Sequence, residues 1–461
     1  MNDRRFSREL KTLIYYIREY GIRHINFNFN RLDDLAKEQE QVEEFITQVH
    51  KGFFAAQDRV IYLLRKTLLE QKRLKTSLAD ARRQHNKALS GEVNQALNHT
   101  IFQEHVLRKL MDAIAWQIFQ YDLSTLRRFY CGQERIDITD SNLDSEIDFA
   151  KYYTQDHPDA FVLISDLTSF IQIGDVVTIS KDEGIQIAEL KEGPVNKEIF
   201  EIIDEAIDVK CPKYLELRLK DKDKHFIKHF ERTVKQIYKS GKVQEIVSTG
   251  YGTDLLTGQK IRVIQDEIEL DTFVDVLKQL SESCHKKGYS ISVIEGCLLI
   301  GVYDVEKFPS QVFDMWTKEL KIEMPIYDMR TSFFDPLSCP IFLHPFSDSF
   351  IVDLVLGKKI IKMTLDLKQW LDTLEKEGCT IRWMSKKETA RANSKMKGSN
   401  KIFDVNGQGI LIEKDDVSIE VGQGIFSRMF TSFNTPSSIR KLLLATLEYS
   451  QDLKKDVDNK K

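Results

Sequence analysis

The sequence contains no proline before Pro158, although nine prolines occur among its 461 residues. Only Gly21, Gly52, Gly91 and Gly132 interrupt the same stretch. Because proline and glycine are the residues that most strongly disfavour helix interiors, their scarcity predicts long continuous helices. The chain therefore divides into a helical front and a rear part in which turns are frequent.

Apolar side chains in the front part recur at helical spacing, at i, i+3, i+4, i+7 and i+11 from Val42 to Phe53. This pattern predicts an amphipathic helix, with Gly52 and Gly91 as candidate breaks. The outer face is rich in lysine and arginine over residues 65–83. Such a face either follows a phosphate backbone or is the solvated side of an assembly element. We expect the second, with homo-oligomerisation through the N-terminal helices.

Positive and negative charges nearly cancel, since 67 lysines and arginines accompany 71 aspartates and glutamates for a net charge of −4. This balance excludes a histone-like tail and a disordered acidic chain, and 42% hydrophobic residues suffice for packed cores. The sequence contains no apolar run of membrane-spanning length, no signal-peptide pattern after Met1 and no CxxC pair among its six cysteines. We therefore expect a cytoplasmic protein with reduced cysteines and no membrane partner.

The spacing of apolar residues changes after Pro158. Short segments rich in valine and isoleucine, bounded by glycine or turn residues, predict strands in FVLISDL, FIQIGDVVTIS and GIQIAELKEG. The segment QEIVST, at residues 244–249, is a further strand candidate. A helix, several strands and a final helix then follow from Thr272 onward.

These patterns predict an α+β fold in three segments. Residues 1–100 form a helical region for assembly or sensing, residues 101–271 an α/β core, and residues 272–461 an accessory α+β domain.

One constellation of polar residues points to chemistry. Gly174-Asp175 lies at one end of a predicted hairpin whose turn begins at Lys181, and the second strand ends in Glu189-Leu-Lys191. The hairpin returns the chain so that Asp175 approaches Glu189, while Glu189 and Lys191 leave the same face of their strand. Two carboxylates are suitable ligands for Mg²⁺, and a lysine can position or deprotonate a water molecule.

This pattern resembles the PD-(D/E)XK, or restriction-endonuclease-like, nuclease superfamily over about residues 100–275. The resemblance implies a mixed central sheet flanked by helices, Mg²⁺ or Mn²⁺ held by Asp175 and Glu189, and Lys191 acting on the attacking water. Gly174 stands where the motif's name has proline. The family's first core helix often adds an acidic or amide side chain, which here would be Asp112 or Gln117.

The helix after the E-x-K motif in this family often carries residues that face phosphates. The corresponding candidates in this sequence are Arg232, Lys235 and Gln236. Arg232 and Gln236 are four residues apart and share one helix face.

The resulting hypothesis is a metal-dependent endonuclease whose substrate is DNA rather than RNA on family precedent. The large accessory regions are similar to those of anti-phage defence effectors and suggest a sensor or ATPase partner protein. Two alternatives stay open: a noncatalytic scaffold that binds nucleic acid through a degenerate nuclease fold, and a ribonuclease.

Overall fold

The computed structural model describes residues 3–25, 35–132, 138, 143–190, 193–255, 258, 260–263, 268–395 and 401–458. Within these ranges no helix is both long and apolar enough to cross a membrane. The chain divides into two compact units, each built from separate stretches of sequence. The first unit comprises Met1–Glu19, Lys66–Ile114 and Ile264–Lys461, and the second comprises Tyr20–Arg65 and Ala115–Val263. These units cut across the three predicted segments, whose boundaries stay a prediction.

The helices of the front part are α1 (Asp3–Arg18), α2 (Tyr20–Arg23), α3 (Leu35–Arg83), α4 (Lys87–Ile118) and α5 (Leu123–Leu126). The 49-residue α3 runs through Gly52, and Gly91 lies inside α4. The helix break falls instead between Arg83 and Lys87, where the Asn86 side chain accepts a hydrogen bond from the backbone N–H of Leu89. The predicted breaks were therefore wrong, because an asparagine cap and not a glycine starts α4.

The second unit continues with a helix and a three-stranded meander, namely α6 (Leu143–Asp156), β1 (Phe161–Ile164), β2 (Val176–Ser180) and β3 (Gly184–Ala188). It then adds three helices and a two-stranded ribbon: α7 (Pro194–Val209), α8 (Pro212–Leu219), α9 (Lys224–Thr249), β4 (Tyr251–Thr253) and β5 (Lys260–Arg262). The four residues of β1 are all buried, so this strand forms the centre of the unit's core.

Two details of the second unit differ from expectation. Residues 244–249, predicted as a strand, form the last turns of α9, because Val243 and Ile246 supply a buried helical face and Gly250 in a left-handed conformation ends the helix. The described strands pair antiparallel and do not form the mixed sheet that the resemblance implies. Helices α7 to α9 separate β3 from β4 and could return the chain so that β4 pairs parallel with the β1-β2-β3 sheet. Instead, β4 pairs with β5 in a separate two-stranded ribbon.

The first unit contains α10 (Val274–Lys287), β6 (Tyr289–Ile294), β7 (Leu298–Asp304), α11 (Gln311–Glu319), β8 (Tyr327–Asp328), α12 (Asp348–Val355) and β9 (Lys359–Leu365). It ends with α13 (Leu367–Lys376), β10 (Thr380–Trp383), α14 (Lys386–Lys395), β11 (Asp404–Val405), β12 (Gln408–Lys414), β13 (Val417–Glu420), α15 (Gln423–Thr431) and α16 (Pro436–Asp458). Its sheets have the orders β6-β7-β9-β8 and β10-β12-β11, with β13 also on β12. The α+β class is thereby confirmed.

Candidate carboxylate site

The predicted hairpin is confirmed. Strands β2 and β3 pair antiparallel with Val176 opposite Ala188, so Asp175 and Glu189 flank the same end of the ladder. The backbone N–H of Asp175 donates to the carbonyl of Ala188 at 2.9 Å, which fixes this end of the hairpin. Local strand pairing thus brings the two carboxylates to the same end of the hairpin.

Gly174 is required by the backbone at this position. Its φ is +78°, in the left-handed region, and a Cβ atom there would lie 2.4 Å from the Ile187 side chain. The Gly174 N–H also donates to Glu189 Oε1 at 3.3 Å. Proline has neither a positive φ nor an N–H, so the glycine that departs from the name of the motif is the residue this geometry needs.

Both carboxylates are oriented by hydrogen bonds. Asp175 Oδ2 accepts from the backbone N–H of Leu190 at 2.6 Å. Glu189 Oε1 accepts from the Ser240 hydroxyl of α9 at 3.1 Å, in addition to its bond from Gly174. Helix α9 is held against β3 one turn after Ser240, because the Gln244 amide donates to the Ile185 carbonyl and accepts from the Ile187 N–H. These contacts pre-orient the carboxylates without neutralising their charge.

A third carboxylate belongs to the site and was missed by the sequence analysis. Glu146 lies on α6, is 3% exposed, and its Oε2 atom has no hydrogen-bond partner within the described part of the chain. Burial, together with the negative charges of Asp166 and Asp175, raises the pKa of Glu146 to about 8. Asp166 is in the 3-10 turn that follows β1. The site is therefore an acidic cluster around a buried, incompletely satisfied carboxyl group.

The donor chemistry of this cluster fits a hard divalent cation. A cation that takes oxygen ligands stabilises the ionised form of a buried carboxylate that has negative charges around it and an oxygen without a hydrogen bond. Asp175 and Glu189 would hold such an ion, and Glu146 would complete the oxygen set. In their present positions, the described residues contain no group of three His, Cys, Asp or Glu side chains close enough to hold a metal ion.

The remaining predicted site residues have different surroundings. Lys191 lies outside the described residues. Arg232 and Lys235 are exposed on α9, whereas Gln236 is half-buried one helical turn before Ser240.

The two candidates for an extra core-helix residue lie in different units. Asp112, in the first unit, is fully buried and pairs with Lys109 at 3.2 Å. Lys109 also donates to two backbone carbonyls. This arrangement gives Asp112 a structural role in that unit. Gln117 is half-buried near the end of α4, in the second unit.

A sequence signal for Glu146 did exist. Leu143, Ile147 and Ala150 lie at i, i+4 and i+7, which marks a helix with one apolar face, and Glu146 borders that face. The signal is weak, because the many acidic residues around Glu146 are equally typical of an acidic connector between helices and strands.

No family model matches this chain, and the searches of curated proteins and of solved structures also find no match.

Proposed function

We propose that this protein is a metal-dependent nuclease that hydrolyses phosphodiester bonds in DNA at the cluster of Glu146, Asp175 and Glu189. The observation that carries the proposal is the buried Glu146 carboxyl group, one of whose oxygens has no hydrogen-bond partner among the described residues and whose electrostatic neighbours are two aspartates. A protein gains no stability from such an arrangement, because burial and like-charge repulsion both disfavour the ionised form. Strained acidic clusters of this kind are typical of functional sites.

The residues of this chain have distinct tasks in the proposed reaction. Asp175 and Glu189 present oxygen atoms on adjacent strand ends, and hydrogen bonds from the Leu190 N–H and the Ser240 hydroxyl restrict how these carboxylates can turn. Lys191, two residues after Glu189, orients the attacking water and offsets negative charge that develops on the phosphate. A bound Mg²⁺ or Mn²⁺ supplies Lewis acidity and a more acidic water molecule.

The proposal is tested by cleavage assays on plasmid, linear duplex, single-stranded DNA and RNA, with Mg²⁺, Mn²⁺ or EDTA. We expect DNA cleavage that EDTA abolishes and that Asp175→Asn, Glu189→Gln and Lys191→Ala each reduce about 100-fold or more. Asp182→Asn is the matched control, since Asp182 is an exposed carboxylate in the turn of the same hairpin.

The alternatives give different results in the same assays. Preferential cleavage of RNA with the same mutant sensitivity would identify a ribonuclease. Binding of nucleic acid without cleavage under any metal condition, together with the absence of Mn²⁺ binding by calorimetry, would identify the noncatalytic scaffold. Cleavage that survives Glu189→Gln would refute the assigned site.

The biological setting remains part of this proposal. A cytoplasmic location, a role in anti-phage defence, assembly through the N-terminal helices and a sensor or ATPase partner all stay predictions from the sequence.

A further inference from the structure

Two adjacent arginines lie beside the carboxylate site, in the 3-10 turn Arg127–Phe129 that follows α5. Arg128 has its counter-ion, because its guanidinium pairs with the nearly buried Asp254 and its Nε donates to the Ser124 carbonyl at 3.0 Å. The Arg127 side chain makes no hydrogen bond and no ion pair with any described residue. Burial lowers the pKa of Arg127, and no acidic group among the described residues compensates for it. Within that part of the chain, one guanidinium of the pair is therefore left without a counter-charge.

These arginines line a small open cleft, and the other residues that line it are Tyr130, Val243, Ile246, Asp254 and Leu255. Val243 and Ile246 of α9 form its apolar wall. An apolar wall lowers the local dielectric and strengthens the attraction between a guanidinium and an anion. A single negatively charged group would neutralise the charge of Arg127. The planar N–H donors of the guanidinium also match the geometry of phosphate oxygens.

The cleft adjoins the carboxylate site through two connections. On α9, Val243 follows Ser240 by three residues, which corresponds to about 4.5 Å along the helix axis, and Ser240 donates to Glu189. On the other side, the Gln172 N–H donates to the Phe129 carbonyl at 2.9 Å. The Gln172 side chain accepts from the Cys131 N–H at 2.8 Å. Gln172 thus ties the arginine turn to the segment that leads into Asp175.

We propose that Arg127 binds a phosphate group of the nucleic-acid strand adjacent to the phosphodiester held at the carboxylates. This inference rests on the proposed function, because it assigns the second phosphate of the same substrate. Arg127 is then a substrate-positioning residue that selects polynucleotides over ligands with a single phosphate. Arg128 supports it by anchoring the turn through its ion pair with Asp254, which also lines the cleft.

The test measures binding separately from cleavage. Fluorescence anisotropy of a labelled single-stranded oligonucleotide is recorded in EDTA over a range of salt concentrations. The proteins are the wild type, Arg127→Gln and Arg127→Lys. Arg218→Gln is the matched control, since Arg218 is an exposed arginine of the same unit that already pairs with Glu205. Thermal melting checks that each variant is folded.

We expect Arg127→Gln to weaken binding about 10- to 100-fold, as loss of a charge-assisted hydrogen bond does. The slope of log affinity against log salt concentration should fall by about 0.7, the change for one phosphate contact on a single strand. Arg127→Lys should keep the wild-type salt slope but only part of the wild-type affinity. Lysine keeps the positive charge and lacks the paired N–H donors of the guanidinium. Arg218→Gln should bind as tightly as the wild type.

The outcomes for this inference and for the proposed function can be told apart. Equal affinity and equal salt dependence of Arg127→Gln and wild type overturn the phosphate site, even if cleavage is observed. The absence of measurable binding by the wild type also overturns it. Binding that depends on Arg127 supports the phosphate site, and if no cleavage accompanies it, only the nuclease proposal fails.

Discussion

Replacement of Glu146 by glutamine should stabilise the second unit at neutral pH while it removes a carboxylate from the proposed site. The Glu146 side chain is buried, and its pKa is raised from an ordinary value of 4.5 to about 8 by burial and by the charges of Asp166 and Asp175. Glutamine has nearly the same shape and carries no charge at any pH. Activity and stability are therefore expected to change in opposite directions.

The sign and size of the effect follow from the two pKa values. Below about pH 4.5 the carboxyl group holds its proton in both the folded and the unfolded chain, so Glu146 costs nothing. As the pH rises towards 8, the unfolded chain releases the proton and the folded chain retains it, so the wild type loses stability. The loss then levels off above the folded-state pKa. At about 1.4 kcal/mol per pKa unit, the loss at pH 7 is about 3 kcal/mol at most.

Hydrogen exchange of the backbone amides in β1, β2 and β3 measures this effect in the unit concerned. Comparison of variant and wild type at the same pH cancels the intrinsic exchange rate. In EDTA, we expect equal protection at pH 4 and up to about 100-fold greater protection of Glu146→Gln at pH 7. Asp182→Asn, the control, should match the wild type at both pH values. A difference that does not change with pH, or weaker protection of Glu146→Gln at pH 7, would refute the reasoning.

Three further substitutions have defined outcomes. Gly174→Ala should lower the urea midpoint more than Gly184→Ala, because both positions have positive φ but only at Gly174 would the new Cβ meet another side chain; equal losses would contradict this. Asp112→Ala should cost about 3–5 kcal/mol in denaturant unfolding by leaving Lys109 buried without its counter-ion, and a loss below 1 kcal/mol would contradict it. Ser240→Ala should slow cleavage about 3- to 10-fold in a kinetic assay, with less than about 1.5 kcal/mol lost in stability; an unchanged rate would show that this hydroxyl does not position Glu189.

The hairpin was predictable from sequence because all of its determinants are local. The valine- and isoleucine-rich segment of β2, the turn that begins at Lys181 and the glycine at position 174 all lie within twenty residues. Strand pairing then places Asp175 beside Glu189. The same residues that carry the resemblance to nucleases also determine the local geometry. This part of the site requires no knowledge of the rest of the fold.

The remainder of the site depends on contacts between segments far apart in sequence. Glu146 has an unusual pKa only because α6 places it close to Asp166 and Asp175. Residues 244–249 contain β-branched side chains and resemble a strand, yet the buried face of α9 extends through them and keeps them helical. Local propensity could not reveal either outcome, since tertiary packing decides both.

The side-chain amide of Gln244 also affects whether another chain can add a strand to the β1-β2-β3 sheet. Strand β3 is the outer strand of the β1-β2-β3 meander, and such an edge normally offers free N–H and C=O groups to any extended peptide. Gln244 occupies the outward carbonyl of Ile185 and the outward N–H of Ile187 with a single side chain, as one residue of a fourth strand would. Gln244 thereby occupies two of the edge groups that an added strand would need, which disfavours strand addition next to Glu189.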